Sequence, residues 1–376
     1  MLFWLAGLSL ALAQEPVAVV GAVISQTGAH AELAQEYARG LELWRDEVNK
    51  AGGLLGRRVE LRLLDDGSEA LKAGALYARL IRDDKVDLLV GPYGTAATMV
   101  AASEAERARH VLVNGAGPAA APHARGPRYV FQSAIPYASY GTEVLDTALE
   151  FGLRRIFIVT RDDPASREAA EALQAAANAK KLSVAPVEVY RPGTLEFVVQ
   201  VARARAAQAD AWIAFGDVRD AAEMVKTFKK LDYAPPLFFA QGAAHPRFIA
   251  LVGQDAEWSL GAADFDPRLG GLARQFGDAY FAKWNTPPGL PAAEGYAAGT
   301  VLGAAVRAAG TFSQEGVRSA LAELELPTVL GTYRVAAESG AQIGARARLV
   351  QIRGGRPRLG MPLLPYPQWD ERALIK

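Results

Sequence analysis

Cysteine is absent from all 376 residues, which excludes disulfides, thiol catalysis and thiolate metal sites together. Histidine is scarce: the four are His30, His110, His123 and His245, too far apart to match a metal motif. Neither sign of charge dominates. Lys plus Arg number 41 and Asp plus Glu 41, so no net field steers the chain toward nucleic acid or anionic lipid, and a small partner is indicated. No apolar stretch reaches the roughly 20 residues of a membrane-spanning helix. No G-x-S-x-G elbow, Walker loop or H-E-x-x-H occurs. The adjacent acids Asp65-Asp66, Asp83-Asp84 and Asp162-Asp163 read as strand-end turns rather than catalytic pairs.

What is present is an ordinary globular composition, 51% hydrophobic and 22% charged, at a length that suggests two domains. Residues 1–13, MLFWLAGLSLALA, form an apolar run closing on Ala11-Leu-Ala13. This matches the core and cleavage site of a secretory signal, although no Lys or Arg precedes it, and a buried first element is the alternative. Export is the expectation. With no cysteine after the run, lipid attachment there is excluded.

From Val17 the pattern alternates apolar strands with amphipathic helices. Val17 to Ile24, Val59 to Leu64, Val86 to Val90 and Val111 to Val113 read as strands. Leu33, Tyr37, Leu41, Trp44 and Val48 recur at helical spacing, as do residues from Ala70 to Ile81. A second set follows Gly152: strands at Arg155 to Val159, Ser183 to Val189, Ala211 to Phe215 and Leu237 to Phe239, with helices near 164–178, 195–208 and 218–230. The fold class is therefore α/β, with two doubly wound Rossmann-like lobes joined around 133–136 and 261–266 and a cleft lined by the loops after each strand. The proline-rich stretch from Gly354 to Trp369 reads as an extended segment crossing the lobes.

Two of those loops are nearly bare. Val90 is followed by Gly91-Pro-Tyr-Gly-Thr95, where the Thr95 hydroxyl is placed to cap the next helix, and Val113 by Asn114-Gly-Ala-Gly-Pro118. Small residues let a ligand approach the backbone, and a helix start favours negative charge, so a carboxylate would fit. Gly115-Ala-Gly117-Pro-Ala-Ala120 also satisfies G-x-G-x-x-A. It stands on the fourth strand with no acid about 20 residues on, which argues against a dinucleotide enzyme.

In Gly21-Ala-Val-Ile-Ser-Gln-Thr-Gly28, Gly40, Asn49-Lys-Ala-Gly-Gly53 with Gly56, Asp65-Asp66, Val90-Gly91 with Thr95, and Gly295-Tyr296, the chain resembles the type I periplasmic binding proteins of branched-chain amino acid ABC transporters, the leucine/isoleucine/valine-binding group. The likeness runs in order along nearly the whole chain after the first segment. It implies a Venus-flytrap clamp with three hinge crossovers: a signal at 1–13, lobe 1 at 14–134 and 265–344, and lobe 2 at 135–264 and 345–376. It also implies a periplasmic, monomeric solute-binding protein that hands a small carboxylate-bearing ligand to an inner-membrane permease. No catalysis, cofactor, metal, nucleic acid or stable membrane insertion is expected.

By that resemblance the Thr95 hydroxyl and backbone groups of Gly115 and Gly117 hold the carboxylate, and the adjacent Tyr93, Gly94 and Ala116 are candidate ligand contacts. The family's usual hydroxyl at Gly117 is missing, so its backbone N–H is expected to serve alone. In lobe 2 the matching positions are Ala165, in the loop that begins at Asp162, and Gln241; Asp217 stands at the end of the third strand, and Tyr140, Tyr93 and Tyr137 offer stacking surface. The family's ammonium-binding acid corresponds to the neutral Gln241. Asp217 is either its replacement or a helix cap. The rival readings are a ligand-sensing or amide-sensor domain on the same clamp and the dinucleotide enzyme.

Overall fold

The protein, described from a computed structural model, is placed at residues 16–126, 128–269 and 271–373; the expected signal at 1–13 lies outside these. The first lobe winds through β1 (Val17–Val23), α1 (Ala31–Lys50), β2 (Arg58–Leu64), α2 (Ala70–Arg82), β3 (Leu88–Val90), α3 (Thr95–Ala108), β4 (Leu112–Asn114) and β5 (Val130–Gln132). Its sheet has the order β2-β1-β3-β4-β5 with every pair parallel. Helices cover both faces, which explains why β3, β4 and β5 are buried throughout rather than alternating. β5 is a further short strand, one that the sequence reading leaves out.

The second lobe contains α4 (Thr142–Glu150), β6 (Arg155–Arg161), α5 (Pro164–Ala179), β7 (Ser183–Val184), β8 (Glu188–Tyr190), α6 (Val198–Ala206), β9 (Ala211–Phe215), α7 (Val218–Lys230), β10 (Leu237–Ala240), α8 (Pro246–Val252) and β11 (Leu260–Ala263). The chain continues through α9 (Gly271–Trp284), α10 (Leu290–Ala309), α11 (Gln314–Glu323), the hairpin β12 (Leu326–Thr328) and β13 (Gly331–Tyr333), and then β14 (Arg348–Ile352) and β15 (Pro357–Arg358). The second sheet runs β15-β14-β11-β10-β9-β6-β7, with β8 also on β6. β14 and β15 are antiparallel additions to an otherwise parallel sheet. The single strand expected from Ser183 to Val189 is two. Pro186 lies between them, β7 pairs with the start of β6 and β8 with its end.

The chain passes between the sheets after β5, after β11 and between β13 and β14. The first and third passages are stitched together: Gln132 N–H donates to Gly340 O at 2.8 Å, and Gln342 N–H to Gln132 Oε1 at 3.1 Å. α10 lies on α1 so closely that a Cβ on Gly40 would stand 2.0 Å from Ala292 O, and one on Gly295 2.1 Å from Tyr37 O. α9 and the base of α10 share a core with α4 and α5, through Phe276, Tyr280, Ala292 and Ala293.

The proline-rich C-terminal segment does not cross the lobes as expected. Tyr366 N–H bonds to Pro236 O, Trp369 Nε1 donates to Tyr233 O at 2.8 Å, and both rings join the lobe 2 core. Two large aromatics near the end of the chain give the segment an apolar anchor that a count of prolines does not reveal.

Candidate ligand-binding cleft

The strands of the first sheet end on Gly91-Pro-Tyr-Gly94 and Gly115-Ala-Gly117, and a parallel Tyr93–Ala116 bridge carries their pairing into the loops. Gly94, not Thr95, is the N-cap of α3. Its φ of 91° lies in the left-handed region open to glycine, and its N–H donates to Ala116 O at 3.0 Å. This corrects the capping role expected for Thr95, which is instead the first helical residue, half-buried, with a hydroxyl not used in capping. The first backbone donor bonded back within this turn is Thr98 N–H to Gly94 O. Those of Thr95, Ala96 and Ala97 precede it, the kind of helix start at which an anion is favoured.

The second loop is closed rather than bare. Gly115, Ala116 and Gly117 are buried. Gly117 N–H donates to Asn114 Oδ1 at 2.8 Å, while Asn114 Nδ2 donates to Gly117 O at 2.8 Å. The N–H expected to serve the ligand from Gly117 is therefore occupied. A Cβ at Gly117 would stand 2.5 Å from Thr98 Oγ1, and one at Gly115 2.3 Å from the Tyr37 hydroxyl. These glycines answer internal packing. The same contacts remove the dinucleotide reading, since Ala120 leads only into a single 3-10 turn at Ala121–His123 and not into a long helix.

In lobe 2, Asp217 is the N-cap of α7 in a capping box. Its Oδ1 accepts from Arg219 N–H at 2.8 Å and Asp220 N–H at 3.2 Å, and its Oδ2 pairs with Arg161 at 2.6 Å. Of the two roles left open by the sequence, the structure shows the cap. Arg161, missed in the sequence, ends β6 and holds Asp163 and Asp217 together, with the buried Asp220 at 3.7 Å. Burial raises the Asp220 carboxyl above the usual range. Asp162 is exposed and pairs with Arg167 at 2.8 Å; it and half-buried Ala165 stand off the cavity described next.

A cavity of about 670 Å3 opens between the strand ends of lobe 2 and the start of α10, walled by Tyr140, Asp217, Gln241, Asp264, Phe265 and Leu290 among others. Tyr140 and Tyr137 lie 6.0 Å apart and Tyr93 lies 6.4 Å from Tyr37, centroid to centroid. Burial pushes the Tyr137 hydroxyl up to about 12 and raises that of Tyr93 further, with Glu294 adding to both. Asp264, at the second passage between lobes, is raised by burial from 3.8 to about 7, partly offset by its hydrogen bond with Tyr140. Glu294, near the start of α10, is 7% exposed; burial raises its carboxyl well above the usual range, and Asp264 and Glu36 reinforce the shift. Sequence reasoning did not single out either acid.

A side-chain hydrogen bond also ties the loop after β4 to lobe 2. Ala120 N–H, after β4, donates to Glu168 Oε1 of α5 at 2.9 Å. Burial raises the Glu168 carboxyl, an effect this hydrogen bond opposes. Glu168→Ala removes a tie of about 1 kcal/mol, so the unliganded variant should show a larger radius of gyration by small-angle scattering. An unchanged radius would show that the bond does not restrain the lobes.

Known proteins share this architecture. The Leu/Ile/Val-binding protein BraC3 of Rhizobium johnstonii is 24% identical over 322 residues, covering 83% of this chain and 85% of its own. The branched-chain amino acid transporter substrate binding protein LivJ from Streptococcus pneumoniae, in complex with isoleucine, superposes with a TM-score of 0.71 at 20% identity, covering 93% of this chain and all of the other. A solute binding protein of an ABC transporter from R. palustris, in complex with benzoate, gives 0.70 at 22% identity, covering 94% and 98% of the two chains. The periplasmic binding protein family model matches residues 18–356, and with the two-lobed architecture above this establishes that the chain belongs to that family.

Proposed function

We propose that the protein is the extracytoplasmic solute-binding component of an ABC importer. It captures a small carboxylate-bearing molecule between its lobes without transforming it and delivers it to an inner-membrane permease. The observation that carries this reading is the start of α3. With Gly94 as cap, the Thr95 hydroxyl and the first-turn N–H groups are left to meet an anion at the carboxyl ends of β3 and β4. Charge-assisted bonds of this kind contribute about 1.5–3 kcal/mol each. The acid–arginine cluster of lobe 2 fixes the facing loops, and closure is stabilised to the extent that ligand prefers the closed form. Among the described residues no helix is long and apolar enough to cross a membrane, so a separate membrane partner would perform translocation.

The test is calorimetric titration with a panel of small amino acids and aromatic and aliphatic acids. For those that bind, Thr95→Ala should weaken affinity by about 1–3 kcal/mol, or roughly 5- to 150-fold. Unchanged affinity would remove the helix start as the anchor.

A further inference from the structure

The inference concerns the two acids at the mouth of the hinge and rests on the reading that this cleft receives a small carboxylate. Asp264 lines the cavity, and its Oδ1 is shut from solvent with no hydrogen-bond partner. Leu290, one helical turn before Glu294 on the same face of α10, lines the same cavity. Glu294 is more than nine-tenths buried, and the influences on its carboxyl are burial and two further acids, Asp264 and Glu36. Among the described residues neither Asp264 nor Glu294 enters an ion pair.

The groups that face them come from each neighbouring element: Glu36 and Tyr37 of α1, Tyr93 of the β3–α3 loop, and Tyr137 and Tyr140 of the first passage between lobes. None is cationic. Tyr37 spends its hydroxyl proton on Gly91 O at 3.1 Å. Two carboxyls without an ion-pair partner, Glu294 buried and Asp264 with a buried oxygen, stand beside a cavity and are ringed by tyrosine, an arrangement suited to receive a cation. Ring faces add to the attraction for positive nitrogen. Asp217 also walls the cavity, but its charge is already paired with Arg161 and its Oδ1 caps α7.

We infer that the ligand carries a protonated amino group, and that Asp264 and Glu294, at the hinge and not on the strand ends of lobe 2, receive it. Thr95 does not wall this cavity, but Tyr93, two residues before it, is near enough to Glu294 for that acid to raise its hydroxyl, so the ligand's two ends are divided between the α3 start and the hinge acids. An acid protonated in the unliganded protein gives up its proton when the ammonium arrives. Binding therefore releases protons and tightens as pH rises toward neutrality.

The experiment titrates the full-length protein with two matched sets. One is L-leucine, 4-methylpentanoic acid and 3-methylbutylamine; the other is L-phenylalanine, 3-phenylpropionic acid and 2-phenylethylamine. Each is run in two buffers of different protonation enthalpy, against wild type, Asp264→Asn, Glu294→Gln and Thr95→Ala. The expected result is that an amine-bearing compound binds at least tenfold more tightly than its deaminated acid, with proton release. Each hinge variant should lose at least tenfold for that compound while its melting temperature is held or raised, which shows that it folds. Binding of a deaminated acid as tightly as its amino acid, with the hinge variants unaffected, overturns the inference and leaves the carboxylate reading intact when Thr95→Ala still weakens it. Binding of an amine alone, lost in Glu294→Gln and kept in Thr95→Ala, supports the inference and removes the carboxylate reading. No binding by any amine-bearing compound overturns the inference.

Discussion

Asp264→Asn stabilises the unliganded protein at pH 8 and leaves it nearly unchanged at pH 4. The Asp264 carboxyl moves from 3.8 to about 7 because burial penalises its charged form. Between those values the native protein keeps a proton that the unfolded chain releases, so stability falls as pH rises through the window. At about 1.4 kcal/mol per pH unit, the cost at pH 8 is up to about 4 kcal/mol. Asparagine cannot ionise, and its side-chain oxygen can still accept from Tyr140. Urea titrations of both proteins at pH 4, 6 and 8 measure the effect. A variant equal to wild type at pH 8 would show that the carboxyl is hydrated in the native state.

The other large effect lies away from the cleft. Trp212→Ala should cost about 3–5 kcal/mol, as expected for deleting a fully buried tryptophan. Its ring is packed by Phe157, Phe228 and Tyr233 at 5.1, 4.9 and 6.0 Å. Trp212→Phe should cost much less, because it keeps most of the volume and deletes an indole N–H that is buried without a partner. Urea unfolding checks both. Ligand affinity should not change in either variant, as Trp212 does not wall the cavity. Equal losses in the two would mean that phenylalanine does not restore the packing and that the fit is specific to the indole ring.

The alternation of strands and helices was legible because parallel strands buried on both faces leave unbroken apolar runs such as Val17 to Val23 and Ala211 to Phe215. Gly40 and Gly295, noted as motif positions, have a physical reason in the contact between α1 and α10. What remained hidden depends on partners distant in the chain. Gly117 reads as an open backbone until Asn114 is seen to occupy its N–H, and Arg161 has no meaning until α7 brings Asp217 to it. Glu294 lies on a helix whose neighbours, Ala292, Ala293 and Gly295, read only as packing. The acids and tyrosines that act on its charge come from α1, the β3–α3 loop and the hinge, which no local pattern brings together.

The hydrogen bonds that join Gln132 to Gly340 and Gln342 bind the outgoing and returning passages into one narrow ribbon. Two arms tied in this way resist sliding past one another, so the closure proposed above would run as a bend about the ribbon and bring the same rims together each time.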